Sequence, residues 1–186
     1  MQKTREEAEK LLKSYIKSDK LLAHSYAAEA VLNALAVRLN GNEAKWSMTG
    51  LLHDLDVEIT NADPKVHGLE TERILKENNY DDEIIDAIKM HNEDAHGLKR
   101  KTLFHHALAA GETITGLIFA TALVYPDKKL ESVKVKSITK RMKEKAFAAS
   151  VNRETIMECQ KLGLTLEEFT EIALTAMKSI SSKIGL

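Results

Sequence analysis

Between Asp19 and Asn40 the chain sets Leu22, Tyr26, Ala30, Leu32, Leu35 and Leu39 at helical spacing, and no proline or glycine interrupts the run. Side chains three and four positions apart share one face of a helix, so this segment can gather its apolar residues into one buried stripe as a helix. Asn40-Gly41-Asn42 then reads as its stop signal. Residues 5–17 repeat the pattern with Ala8, Leu11, Leu12, Tyr15 and Ile16. Further helices are expected over about 43–55, from Pro64 at a first helical position to about Asn78, from a capping Asp81 to near His91, and over about 102–124. Asn61-Ala62-Asp63-Pro64 reads as a loop, and Pro126-Asp127 as a turn. Val133 and Val135 alternate with Lys134 and Lys136, but residues 137–148 resume helical spacing, so we read this piece as a helix entry. Asn152 is expected to cap a helix ending at Gly163, and Thr165-Leu166-Glu167-Glu168 forms a capping box for the last helix. The whole chain holds only two prolines, eight glycines and 5% aromatics, a balance that favours helices over sheets. The expectation is an all-α fold: a bundle of about eight or nine helices in one domain over residues 1–186.

Other features narrow the function classes. The formal net charge of −1 gives no reason to expect a nucleic-acid or membrane partner. The longest apolar run, Ile114 to Tyr125, includes Thr and Gly, is too short to span a bilayer, and reads as a buried core helix. No apolar segment of a secretory signal follows Met1-Gln2-Lys3-Thr4-Arg5-Glu6-Glu7. Cys159 is the lone cysteine, which excludes an internal disulfide and suits a reducing, cytoplasmic setting.

The chemistry concentrates in Gly50-Leu51-Leu52-His53-Asp54-Leu55-Asp56, where ionisable residues interrupt the apolar end of a helix. Burying them without partners would cost several kcal/mol or more, so something must compensate. A bound cation is one way; a plain His-Asp hydrogen bond at a helix end is the other. His53-Asp54 has company. His24 lies on the preceding long helix, His67 opens the next helical segment, His91 closes the one after that, and Glu112 sits inside a strongly apolar helix. A carboxylate in that setting needs a partner, although a salt bridge would also serve. Imidazole and carboxylate donors suit Mn, Fe, Co, Ni or Zn, and suit Mg less.

This order of His, His-Asp, His, His and an acid resembles the HD superfamily of metal-dependent phosphohydrolases, and most of all its HDIG-type bacterial and archaeal members. The resemblance runs through the motifs over about 20–125, with Thr121-Ala122-Leu123-Val124 and Val133-Lys134-Val135-Lys136-Ser137 continuing it into an extension over 126–186. It implies that His24, His53, Asp54 and Glu112 hold one metal ion, and that Asp54 bridges to a second held by His67 and His91. It also implies hydrolysis of a small phosphorylated substrate, a nucleotide first among them, with Asp54 able to orient the attacking water. Cyclic or dinucleoside phosphodiesters are an alternative substrate class, and a regulatory domain that binds metal or nucleotide with little turnover is an alternative role. The chain departs from the family pattern in having Glu112 in place of Asp, Asp56 in place of the last Gly of the tetrad, and Asn92 where dinuclear relatives often carry a further His, so the expectation is one or two ions.

After these motifs comes a basic segment with Lys128, Lys129, Lys134, Lys136, Lys140, Arg141, Lys143, Lys145 and Arg153 against Glu131 and Glu144. Lys136, Lys140 and Arg141 are candidates for a phosphate-binding wall beside the metals; a solvated helix face is the plainer reading. No aromatics interleave the cations, so stacking on single-stranded nucleic acid is not indicated. His105 and His106 are candidates for contacts around the ligands or substrate, with ordinary packing as the alternative.

Overall fold

A computed structural model describes residues 3–186, so Met1-Gln2 of the expected leaderless N-terminus lie outside the described residues. Among the described residues there are ten α-helices and no strand. They are α1 (Arg5–Tyr15), α2 (Asp19–Leu39), α3 (Glu43–Leu52), α4 (Leu69–Glu77), α5 (Asp82–His91), α6 (Leu103–Leu123), α7 (Val135–Arg141), α8 (Arg153–Met157), α9 (Leu166–Lys178) and α10 (Ser181–Ile184). Capping side chains set many of the starts. Thr4 and Thr165 each form a capping box, with Glu7 and Glu168, and Asn42, Asp81, Thr102 and Asn152 accept backbone N–H bonds at their helix entries. The stop at Asn40 is a left-handed residue with φ 54°, as the sequence signal requires.

Two helices organise the rest. α2 packs against α3, α6 and α9. α6 carries a nearly continuous buried surface of Leu108, Ile114, Leu117 and Ile118 among its neighbours. It is long and apolar enough to cross a membrane, but most of it is buried against the other helices. Fully burying one such aliphatic side chain contributes roughly 1.5–3 kcal/mol, which is why these stripes govern the packing. Two glycines let α2 approach its neighbours closely. A Cβ at Gly50 would sit 2.5 Å from the Ala28 carbonyl oxygen, and one at Gly111 would sit 2.8 Å from Leu32 Cδ2. These contacts bring α3 and α6 onto the face of α2 that carries His24.

Three expectations need correction. The helix expected from Pro64 starts at Leu69, because residues 53–67 run as successive turns and Gly68 adopts φ 94°. The helix expected to continue through 137–148 ends at Arg141, and turns fill the interval to Asn152. The helix expected from Asn152 to Gly163 is α8 for its first part and a 3-10 helix, Glu158–Leu162, for the remainder.

Candidate metal centre

The centre gathers side chains from α2, the end of α3, the following turns, α5 and α6. His24 faces out of α2, and His53 is the C-cap of α3. Asp54 starts the turns, His67 precedes Gly68, His91 closes α5, and Glu112 lies early in α6. The donor atoms of His24, His53 and Glu112 lie within 4.8 Å of one another, as do those of Asp54, His67 and His91. Asp54 stands between the two groups. Its Oδ1 is 3.2 Å from His53 Nε2 and 3.1 Å from His67 Nε2, and its Oδ2 is 3.5 Å from His24 Nε2.

Each imidazole is oriented by what its other nitrogen touches. His53 Nδ1 donates to the Gly50 carbonyl at 2.8 Å, and His91 Nδ1 donates to the Ile88 carbonyl. His67 Nδ1 donates to Asp56 Oδ1 at 2.7 Å. His24 Nδ1 lies 2.9 Å from Thr115 Oγ1, and that hydroxyl already donates to the Glu112 carbonyl, so it accepts from the imidazole. Every outward partner is thus an acceptor, which puts the Nδ1 proton outside and leaves Nε2 as the inward atom. His24 and His53 bring Nε2 atoms within 3.1 Å of each other, and His67 and His91 bring theirs within 3.0 Å. Between His24 and His53 bare nitrogen lone pairs repel at that distance, whereas His67 holds a proton on Nε2 that Asp54 and His91 share. A cation at these positions would take the place of the His67 Nε2 proton, draw Glu112 into its ionised form and, with Asp54 supplying negative charge, turn the repulsion into ligation; outer partners of this kind are what metal-binding histidines use. The donor set therefore fits divalent transition metals.

The electrostatics follow from burial and from the carboxylates. Burial drives His53 down to about 4, His91 down to about 3, and His24 downward, so all three present neutral rings at pH 7. Burial works in the same direction on His67, but the carboxylates of Asp54 and Asp56 outweigh it and carry that ring up to about 10. Asp54 is pushed upward by burial, yet His53, His67 and His24 hold it well below the usual carboxylate range. Burial raises Glu112 to about 8, and the nearby Asp54 charge adds to the rise.

Several supporting roles were not visible in the sequence. Asp56 is fully buried, and its Oδ2 accepts the Gly68 N–H at 2.7 Å and the Thr71 N–H at 3.1 Å. Asn92 stands where a further ligand was a possibility, and its side-chain amide instead donates to the carbonyls of Pro64 and His67, both at 2.8 Å. Arg100 donates to the carbonyls of Met90 and His91 and grips Glu158, with a closest distance of 2.7 Å. His106 Nδ1 meets the same Glu158 at 2.7 Å, so it ties α6 to the C-terminal extension, and His105 pairs with Asp86 at 2.7 Å. A carboxylate two residues past His-Asp was the one visible signal for Asp56. Hydrogen bonds to backbone carbonyls leave no such signal.

A cavity of about 530 Å³ opens beside the donors. Its remaining lining includes Val57, Ala62 and Pro64 from the turns, and Ser150, Val151, Asn152 and Thr155 from the extension. Among the described residues this lining holds no Lys, Arg, Phe, Tyr or Trp. Lys136, Lys140 and Arg141 are not brought to it. Ile138 is the buried side chain of α7, the helix packs on α6 and α9, and Lys136 and Lys140 point to solvent. Arg141 lies 4.4 Å over the Phe147 ring, and Glu144 is near both Arg141 and Lys140. The packing of Ile138 fixes which way the basic stripe faces.

Comparison with known proteins gives one family match: the model described as HD domain covers residues 21–141. No curated protein and no solved structure matches the chain.

Proposed function

The chain belongs to the HD-domain family, and from that premise we propose that it is a metal-dependent phosphohydrolase acting on a small phosphate ester. The observation that carries this reading is the convergence of inward-facing imidazole Nε2 atoms around the bridging position of Asp54. In this reading His24, His53, Asp54 and Glu112 hold one divalent ion, and His67 and His91 hold a second with Asp54. Mn, Fe, Co, Ni and Zn suit the donors. A divalent ion bound there supplies Lewis-acid polarisation of phosphoryl oxygens and acidifies water.

The protein's own residues do the rest. Asp54 sits half-buried against imidazoles that hold it ionised, so it can accept a hydrogen bond from water and orient it toward phosphorus. Hydrolysis forms a bond from the water oxygen to phosphorus, breaks the ester P–O bond and delivers a proton to the departing alcohol. Val57, Ala62, Pro64 and Val151 border the site with apolar surface.

The lining also bears on substrate. With no Lys or Arg in it, a polyphosphate would bring negative charges that no Lys or Arg side chain of the lining neutralises. With no aromatic platform, a dinucleotide would lack stacking for its bases. A compact monoester, such as a mononucleotide, fits both facts. The lone cysteine, Cys159, is buried and free, which suits a reducing compartment such as the cytoplasm.

A screen of metal-reconstituted protein against phosphomonoesters, phosphodiesters and nucleoside triphosphates tests this reading. We expect monoester turnover, with Asp54→Ala inactive. Efficient hydrolysis of a dinucleotide or triphosphate with no monoester turnover would contradict the substrate class, and no hydrolysis of any of them with any of the metals would contradict the activity.

A further inference from the structure

Asp56 occupies the position where the HDIG tetrad has a residue without a side chain, and the structure gives this carboxylate a complete set of partners. It is fully buried. Oδ2 takes two backbone donors, Gly68 N–H at 2.7 Å and Thr71 N–H at 3.1 Å. Oδ1 takes His67 Nδ1 at 2.7 Å. Its own N–H donates to Thr71 Oγ1 at 3.1 Å. One carboxylate therefore fixes the start of α4, the turn before it and the orientation of one imidazole.

We propose that Asp56 is the positioning residue for the second ion: by accepting the His67 Nδ1 proton it commits His67 Nε2 to Asp54 and His91. The inference rests on the metal-centre reading above. The polarity of one hydrogen bond decides which ring nitrogen faces the donors. The other donors in the second group are already fixed, His91 by the Ile88 carbonyl and Asp54 by the imidazoles around it. His67 sits on a run of turns that packing alone holds less tightly than a helix, and its ring could present either nitrogen. Asp56 removes that choice, because a carboxylate can only accept. Asn92 complements it by clamping the His67 carbonyl, so backbone and ring are held from opposite ends of one residue.

Asp56→Asn reverses the polarity with almost no change in shape. The two backbone N–H groups at Oδ2 require an acceptor there, so the new amide must direct its oxygen at them and its NH₂ at His67. His67 then turns its Nδ1 lone pair to the amide and carries its only proton on Nε2, where, unlike the wild-type ring that keeps Nδ1–H, it cannot give that proton up to a metal without becoming anionic. Thr71→Val provides the control. It removes the acceptor for the Asp56 N–H and weakens the same corner, but leaves the carboxylate facing His67.

The test has two readouts. The first is ¹⁵N-imidazole NMR of metal-free protein, which reports whether His67 Nδ1 carries a proton. We expect a proton there in the wild type and in Thr71→Val, and none in Asp56→Asn. The second is calorimetric titration with Zn²⁺ or Mn²⁺. We expect two ions in the wild type, with the affinity of the weaker one falling about 10–100-fold in Asp56→Asn and holding within about twofold in Thr71→Val. A bare His67 Nδ1 in the wild type overturns the proposal even if no variant folds. Equal loss of the second ion in both variants also overturns it, because Asp56 would then act only through the fold. A wild type that binds no metal contradicts the metallohydrolase reading, and the NMR result then judges the role of Asp56 separately.

Discussion

At the scale of single residues, the ligand candidates were legible because each is an ionisable side chain placed where an apolar one would fold better. His53-Asp54 at an apolar helix end and Glu112 within an apolar helix are costly unless something compensates. Their partners were not legible. Gly50 and Ile88 act through carbonyls, which every residue has, and Thr115 is one of many threonines until His24 Nδ1 is found 2.9 Å away. Thr115 therefore offers a sharp test. Thr115→Val keeps the buried shape but removes the acceptor that orients His24. We expect metal affinity at the group containing His24, His53 and Glu112 to fall about 10-fold with thermal stability little changed, as read by calorimetric titration beside a melting curve. Unchanged affinity would show that packing alone orients the ring.

Elements were legible where a cap or stop coincided with an apolar stripe, as in α2, α5 and α9. They were not where a tertiary bond overrode the local signal. Pro64 suits a helix start, but Asp56 draws in the Gly68 and Thr71 N–H groups and delays α4 to Leu69. The contact of α3 with α2 predicts a steep cost for Gly50→Ala, since its Cβ would meet the Ala28 carbonyl, which cannot move without shifting the helix. Destabilisation of about 2 kcal/mol or more is expected in chemical denaturation. The docking of α1 on α2 has a pH signature. Glu9 is held down to about 2 by Lys13, Tyr26 and Arg5, and Arg5 also reaches Glu29 at 2.7 Å. A carboxyl whose pKa is lower folded than unfolded contributes stability that is complete above its ordinary value near 4.5 and is lost as pH falls through about 2. Glu9→Gln should therefore cost about 1–2 kcal/mol at pH 7, after allowing for solvent screening, and the difference from wild type should shrink as pH drops below 4.5. A difference that does not vary with pH would contradict this.

For the whole molecule, the helical class followed from the scarcity of breakers, but the direction of the basic stripe depended on how α7 packs, which its own sequence does not specify. The extension is part of the same core: Phe169, Ala173 and Met177 are fully buried with residues of α2 and α6. It also supplies Ser150, Val151, Asn152 and Thr155 to the cavity, all beyond the segment that matches the family. Because the centre packs imidazole nitrogens against one another, bound metal should stabilise the whole fold. At a free concentration 100 times Kd, a ligand of the folded state adds about 2.7 kcal/mol per site, or roughly 5–10 °C in Tm for a chain of this size. The most direct test of the central claim counts the ions themselves: elemental analysis of protein reconstituted with Zn²⁺ or Mn²⁺ and freed of excess, wild type beside Asp54→Ala. The account predicts two ions per wild-type chain and a loss of both from the variant; a wild type without metal, or a variant that keeps its full complement, would contradict it.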